Sequence, residues 1–157
     1  MSCTGSWDAP QVAGEAVDIT GLTLTATYTD GTTKDVTADV TVSPETWSAT
    51  GSQTATFSYT EGSVTKTTTK SATVVARVAD PVITCEANIV TIETETLGAT
   101  IYYTTDGTEP TTESTEYTEA VAILEDTTFK AYAVKASMAD SHVVTEECEY
   151  TPANVEE

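Results

Sequence analysis

One histidine, three cysteines and 25 acidic side chains supply most of the polar chemistry of this 157-residue chain. Hydrolysis by a serine, a histidine and an acid needs the imidazole lined up with both partners. His142 stands in "DSHVVT", next to Ser141 and Asp140 in sequence. Adjacent residues of a strand point to opposite faces, so this run cannot form the array, and His142 reads as a solvent-facing residue near a strand start. Carboxylate pairs abound, but glycoside hydrolysis needs two of them facing each other across a cleft at ~5–9.5 Å. The eight glycines sit singly and build no phosphate-cradling loop. Catalytic residues are therefore expected to be absent, and cofactors with them.

Cys3, Cys85 and Cys148 lack the close spacing of a structural zinc site. Cys85 and Cys148 could pair if the first and last strands of one domain lie side by side; small buried thiols in β-strands are the alternative. Acidic loops such as "TTDGTEPTTESTE" offer oxygen ligands of the kind calcium takes, but their spacing matches no EF-hand, and no metal is expected. Trp7, Trp47, Tyr102 and Tyr132 could build an aromatic platform for sugars, against the ordinary use of large aromatics as core filling. Trp7 differs in that no core clearly claims it: it precedes the first recognisable strand, in "SCTGSWDAPQ". Trp7, Asp8 and Pro10 are accordingly the candidate partner-binding residues.

The elements that would carry these groups are strands. "GLTLTATYTDGT" sets Leu22, Leu24, Ala26 and Tyr28 on one face and Thr23, Thr25, Thr27 and Thr29 on the other. A period of two marks a half-buried strand. Asp30-Gly31 follows, a short-range hairpin signal because both turn positions tolerate positive φ. Val36, Val40 and Val42 supply returning strands. In "TATFSYTEGSVTKTTTKSATVVA" Ala55, Phe57 and Tyr59 share a face, Glu61-Gly62 makes a turn, and a last strand ends near Val78. "ADPV" at 79–82 interrupts the alternation. It then resumes in "VITCEANIVTIET", "GATIYYTTD", "AVAILED", "TTFKAYAVKA" and "HVVTEECEYT", and only "KASMADS" could hold a short helical turn. The fold class is all-β, as two tandem small Ig-like β-sandwiches over residues 1–78 and 79–157.

Charge divides at the same place. Residues 1–79 carry 8 acidic and 4 basic groups, −4, whereas residues 80–157 carry 17 and 2, −15, within a total of −19. A surface this negative repels phosphate backbones and anionic membranes, so neither nucleic acid nor membrane is an expected partner. Nothing approaches the ~20 apolar residues of a membrane span. Met1 is followed by no basic-then-apolar signal segment.

Gly14-Glu15, Asp18, Thr20-Gly21-Leu22, Ala26-Thr27-Tyr28, Asp30-Gly31-Thr32, Val36, Gly51 and Tyr59 give the first unit a pattern that resembles bacterial Ig-like domains of the third group, over residues 11–76. "SPETWSAT" departs from the shorter members. "GATIYYTTDGTEPT" at 98–111, Ser114, Tyr117, "FKAYAVK" at 129–135 and "DSHVV" at 140–144 make residues 81–151 similar to the small domain at the C-terminus of chitobiases and β-hexosaminidases. In those hydrolases catalysis belongs to a separate barrel. The resemblance implies that 98–117 is a structural signature, with Ile101 and Tyr103 facing one way, Tyr102 the other, Asp106-Gly107 turning and Tyr117 folding back.

Such modules decorate surfaces, which leads to the expectation of a non-catalytic structural or adhesion protein on the virion surface of a tailed bacteriophage, a capsid or tail accessory. A methionine start without a signal and a length suited to a small complete product point that way. Partners would be other virion structural proteins or host-surface glycans, with homo-oligomers in the assembly. The rival expectation is a spacer or carbohydrate-associated module of a secreted bacterial cell-surface protein.

Overall fold

The computed structural model describes residues 1–152. The chain divides into two compact units, Met1–Ala76 and Arg77–Glu157.

The first unit packs a three-stranded sheet on a four-stranded one. Strand β3 (Leu22–Thr27) is central in the former, between β1 (Ser2–Gly5) and β4 (Thr33–Asp35), both antiparallel to it. Its alternation decides its faces: Leu22, Leu24 and Ala26 are buried and Thr23 and Thr27 exposed. The second sheet is built on the hairpin β6 (Gly51–Glu61) and β7 (Val64–Val75), extended by β5 (Thr41–Ser43) and by β2 (Gln11–Val12), which runs parallel to β7. Ala55, Phe57, Tyr59, Ala72 and Val74 face the core. On the other face the cross-strand pairs are Ser52/Thr73, Thr54/Ser71, Thr56/Thr69, Ser58/Thr67 and Thr60/Thr65, hydroxyl against hydroxyl along the ladder. Only Gly62 and Ser63 separate these strands, with Gly62 at φ 61°, so the turn lies one residue later than Glu61-Gly62. Val36 is not in a strand. It precedes the short 3₁₀ turn Thr37–Asp39 and is 1% exposed.

Connections supply the largest core side chain. Trp47, 1% exposed, donates its indole N–H to Gln11 Oε1 at 2.9 Å. The same oxygen accepts the Asp18 main-chain N–H at 3.1 Å, and Gln11 Nε2 donates to Ala9 O at 3.4 Å. Gln11 is itself 3% exposed, so this amide meets in protein the hydrogen bonds it would otherwise make to water. Among the described residues no buried side-chain nitrogen or oxygen is left without a partner.

The second unit repeats the layering with a different connection order. Hairpin β8 (Val82–Glu86) and β9 (Ile89–Glu93), with β12 (Val121–Ala122) beside β9, makes the three-stranded sheet. The four-stranded sheet runs β11 (Thr115–Glu116), β10 (Thr100–Thr104), β13 (Thr127–Val134), β14 (Val144–Cys148), all antiparallel. Ile83, Val90 and Ile92 meet Ile101, Phe129, Ala131, Ala133 and Cys148 between the sheets. Tyr103 stacks on Phe129 at 5.7 Å and receives the edge of Tyr117 at 6.3 Å, while Tyr102 and Tyr132 pair at 6.0 Å on the opposite face of the same two strands. "AVAILED" contributes only the two residues of β12, and "KASMADS" is a turn with Ser137 at φ 66°.

The boundary falls before Arg77 rather than after Val78. Arg77 bridges Ala139 in parallel, Val78 N–H donates to Ala139 O at 2.9 Å, and Val78 is 1% exposed in the second core. The strand expected to end near Val78 stops at Val75. Val78 instead belongs to the core of the second unit.

Replacing Gln11 by Leu strips the acceptor from the buried Trp47 indole, and an orphaned buried donor costs about 1–3 kcal/mol. Both tryptophans lie in the first unit, so the loss should appear as a lower denaturation midpoint by tryptophan fluorescence. An unchanged midpoint would show that the indole finds another acceptor.

Candidate functional site

A half-open cleft of ≈ 260 Å³ lies at the turn end of the first unit's sheets, lined by Met1, Ala26, Tyr28, Tyr59, Glu61, Val64 and Lys66 among others. Period-two alternation brings Tyr28 and Tyr59 there from different sheets. Tyr28 hydroxyl donates to Glu61 Oε2 at 2.7 Å, Lys34 Nζ donates to the Tyr59 hydroxyl at 2.9 Å, and Lys34 stands 3.7 Å from Glu61 Oε1. Lys34 is 5.4 Å from the Tyr59 ring centroid but almost in contact with its hydroxyl. It therefore meets the ring at its oxygen edge rather than its face, and the hydrogen bond outweighs any cation–π attraction. The hydrogen bond to the Glu61 carboxylate pushes the Tyr28 hydroxyl up to about 12 and draws Glu61 below its ordinary range, and the bond to Tyr59 raises Lys34. Tyr28, Lys34 and Glu61 stay in the charge states that hold them together at neutral pH. Sequence reading missed this chain of contacts because its members come from β4, the β3–β4 turn and the β6–β7 hairpin.

In the second unit, Asp106-Gly107 does turn the chain, but inside a loop spanning 105–114 rather than as a two-residue corner. Asp106 Oδ1 accepts the Thr108 main-chain N–H at 3.0 Å and the Thr108 hydroxyl at 2.6 Å. Thr104 hydroxyl donates to Thr108 O at 2.6 Å, and Gly107 takes φ +82°. The same Asp-x-Thr clasp recurs at Asp18/Thr20, Asp30/Thr32 and Asp35/Thr37. In all four, the threonine hydrogen bonds lower the aspartate below its usual pKa. These carboxylates are committed to shaping turns. Among the described residues no three His, Cys, Asp or Glu side chains gather as metal ligands would.

Trp7 requires a correction. A core does claim it: half-buried, it meets Trp47 edge-on at 6.3 Å and Phe57 at 6.5 Å, and its indole N–H donates to Ser71 O at 2.9 Å. The physical reason is that β1 lays the N-terminal segment along the first sheet, and the chain then carries Trp7 over the edge of β7. Trp7 is thus half-buried against its own core rather than unclaimed by one. Asp8 and Pro10 are exposed. Asp8 N–H reaches Thr20 O at 3.4 Å, and its carboxylate lies where a Cβ on Gly21 would fall, at 2.2 Å. Of the other aromatic candidates, Trp47 is in the core and Tyr132 is 8% exposed, which leaves half-buried Tyr102.

Ser141 and His142 do point apart. Ser141 is 7% exposed; its hydroxyl accepts the Ala133 N–H at 2.8 Å and donates to His142 O at 2.9 Å. His142 is exposed and turns its Nδ1 to Asp80 Oδ2 at 3.1 Å. Burial opposes ionisation of Asp80, but the His142 main-chain N–H and ring, with Arg77 beyond, hold its carboxyl low. The pair pins the entry segment of the unit to the stretch just before β14.

Cys85 on β8 and Cys148 on β14 form a disulfide, with Cα atoms 5.6 Å apart and a sequence separation of 63. Cys148 is 1% exposed and Cys85 half-buried, so the bridge ties one sheet to the other at the core margin. Cys3 is free.

Residues 90–148 match the family described as Fn3 associated. No curated protein matches the chain. The second unit is thus similar to a fibronectin-type or Ig-like associated domain, and the similarity stops short of β8 and its Cys85.

A Cβ on Gly107 would meet nothing within 4 Å, so Gly107→Ala tests backbone strain alone. Its cost should be about 1 kcal/mol. The loss should appear in the far-UV transition and leave the tryptophan transition of the first unit in place. Unchanged stability would mean that the loop relaxes freely around residue 107.

Proposed function

We propose that the chain is a non-catalytic structural and adhesion module displayed on a surface outside the reducing cytosol. The observation that carries this reading is the Cys85–Cys148 bridge. Disulfides form and persist in oxidising settings, on secreted proteins and on cell or virion surfaces. The long Ser/Thr face of the β6–β7 hairpin and the −15 charge over residues 80–157 agree with it, because both keep β-sandwiches hydrated and discourage sheet-to-sheet aggregation. The likeness of residues 90–148 to Fn3-associated domains supports a spacer or carbohydrate-associated module of a bacterial cell-surface protein.

The chitobiase-type resemblance fits the same use, since in those hydrolases the domain stands beside the catalytic barrel. Decoration of a tailed-phage particle is the second reading. The acidity favours it, as strongly charged copies repel one another on a crowded shell.

Fractionation of the producing cells or particles, with a membrane-impermeant maleimide applied before and after reductant, tests the proposal. The chain should sit in the surface or particle fraction with Cys85 and Cys148 labelled only after reduction. Recovery in the cytosol with both thiols labelled directly would overturn it.

A further inference from the structure

Cys85 lies at the entrance of the second unit and Cys148 at its exit. Of its described residues, only 77–84 and 149–152 stand outside the covalent loop that they close. We infer that the second unit is a tension-bearing element, in which load applied between the chain ends passes through the Cys85–Cys148 bond and bypasses the sheets.

The path of the load follows from the contacts. Tension entering at Arg77 first strains the Val78 N–H bond to Ala139 O and the Asp80–His142 pair. It then peels β8 from β9, beginning at Val82/Glu93 and continuing through Thr84/Thr91. At Cys85 peeling ends, because the next backbone bond is loaded in series with the disulfide, while residues 86–147 hang in parallel with it and carry no net force. From Cys148 the load leaves through Glu149 and Tyr150. Within the loop, Ile92, Ile101, Phe129, Ala131 and Ala133 carry no load while the disulfide is intact, although Val78 and Ile83, which share their core, leave it with the entry segment. Hydrogen bonds and apolar packing fail one after another when pulled from an end, whereas a covalent bond does not. The unit therefore gives up only its short entry and exit segments.

Two further observations point the same way. The bridge spans most of the unit, which is the placement that shields the greatest length of chain; a bridge between neighbouring strands of one hairpin would shield little. The region similar to Fn3-associated domains, 90–148, leaves out β8, so Cys85 belongs to a strand outside that similarity. The biological use of this device rests on the surface role proposed above; the mechanical property does not.

The experiment is single-molecule force spectroscopy on the full chain, held by handles at its two ends, without and with dithiothreitol. The first unit contains one cysteine, Cys3, and no disulfide, so it extends fully in both conditions and serves as an internal ruler. Without reductant the second unit should release only its terminal segments. With reductant the total extension should grow by about 200 Å, the 63-residue separation at ~3.3–3.6 Å per residue. The gain may be read as a separate step or as extra length already present before loading; either supports the inference. Equal extension in both conditions, or free thiols at Cys85 and Cys148 by mass spectrometry of chain made in an oxidising compartment, overturns it. Cytosolic recovery in fractionation would instead remove the surface role and leave the mechanical result standing.

Discussion

Small sandwiches live with a volume constraint: two thin sheets of this size enclose little apolar matter, and burial alone leaves a narrow margin over chain entropy. Each unit here adds one specific linkage to its packing. In the first it is the Trp47 indole held by the buried Gln11 amide, which joins the β2 edge to the loop after β5. In the second it is the Cys85–Cys148 bond, which joins β8 in one sheet to β14 in the other. On the chain-entropy account, a loop of this length contributes about 4 kcal/mol, comparable with much of the total stability of such a domain.

With these linkages inside, the outer faces are free to serve solubility. Threonine and serine occupy the exposed rungs of β6 and β7 because their branched or small side chains suit a pleated surface while their hydroxyls stay hydrated. Aspartates fold the turns by taking threonine hydrogen bonds, and so part of the negative charge doubles as turn chemistry. An acidic surface of this kind keeps the sheets hydrated.

The strands were legible in the sequence because their period is two. Leu22-Leu24-Ala26 and Ala55-Phe57-Tyr59 went to the faces that their spacing assigns. Asp30-Gly31 fell at a strand-to-strand turn, but Asp106-Gly107 fell inside a longer loop, since an Asp-Gly pair reports positive φ and says nothing of where pairing resumes. Trp7 and Gln11 were illegible for a common reason. Their partners, Ser71 and Trp47, lie 64 and 36 residues away, and no local pattern encodes such a contact. Val78 shows the limit of periodicity, which runs the strand on to it although the chain has by then passed to the second core. The Tyr28–Glu61 and Lys34–Tyr59 contacts likewise appear only once the two sheets are stacked.

That one covalent bond closes the second unit, and only that unit, is tested most directly by denaturing the intact chain with and without dithiothreitol while following two signals together. Tryptophan fluorescence reports the first unit alone, because Trp7 and Trp47 both belong to it; far-UV circular dichroism reports both. The account predicts that reduction leaves the fluorescence transition where it was and lowers the remaining dichroism transition by about 4 kcal/mol. A fluorescence transition that moves with reductant, or a dichroism profile that does not, would contradict it.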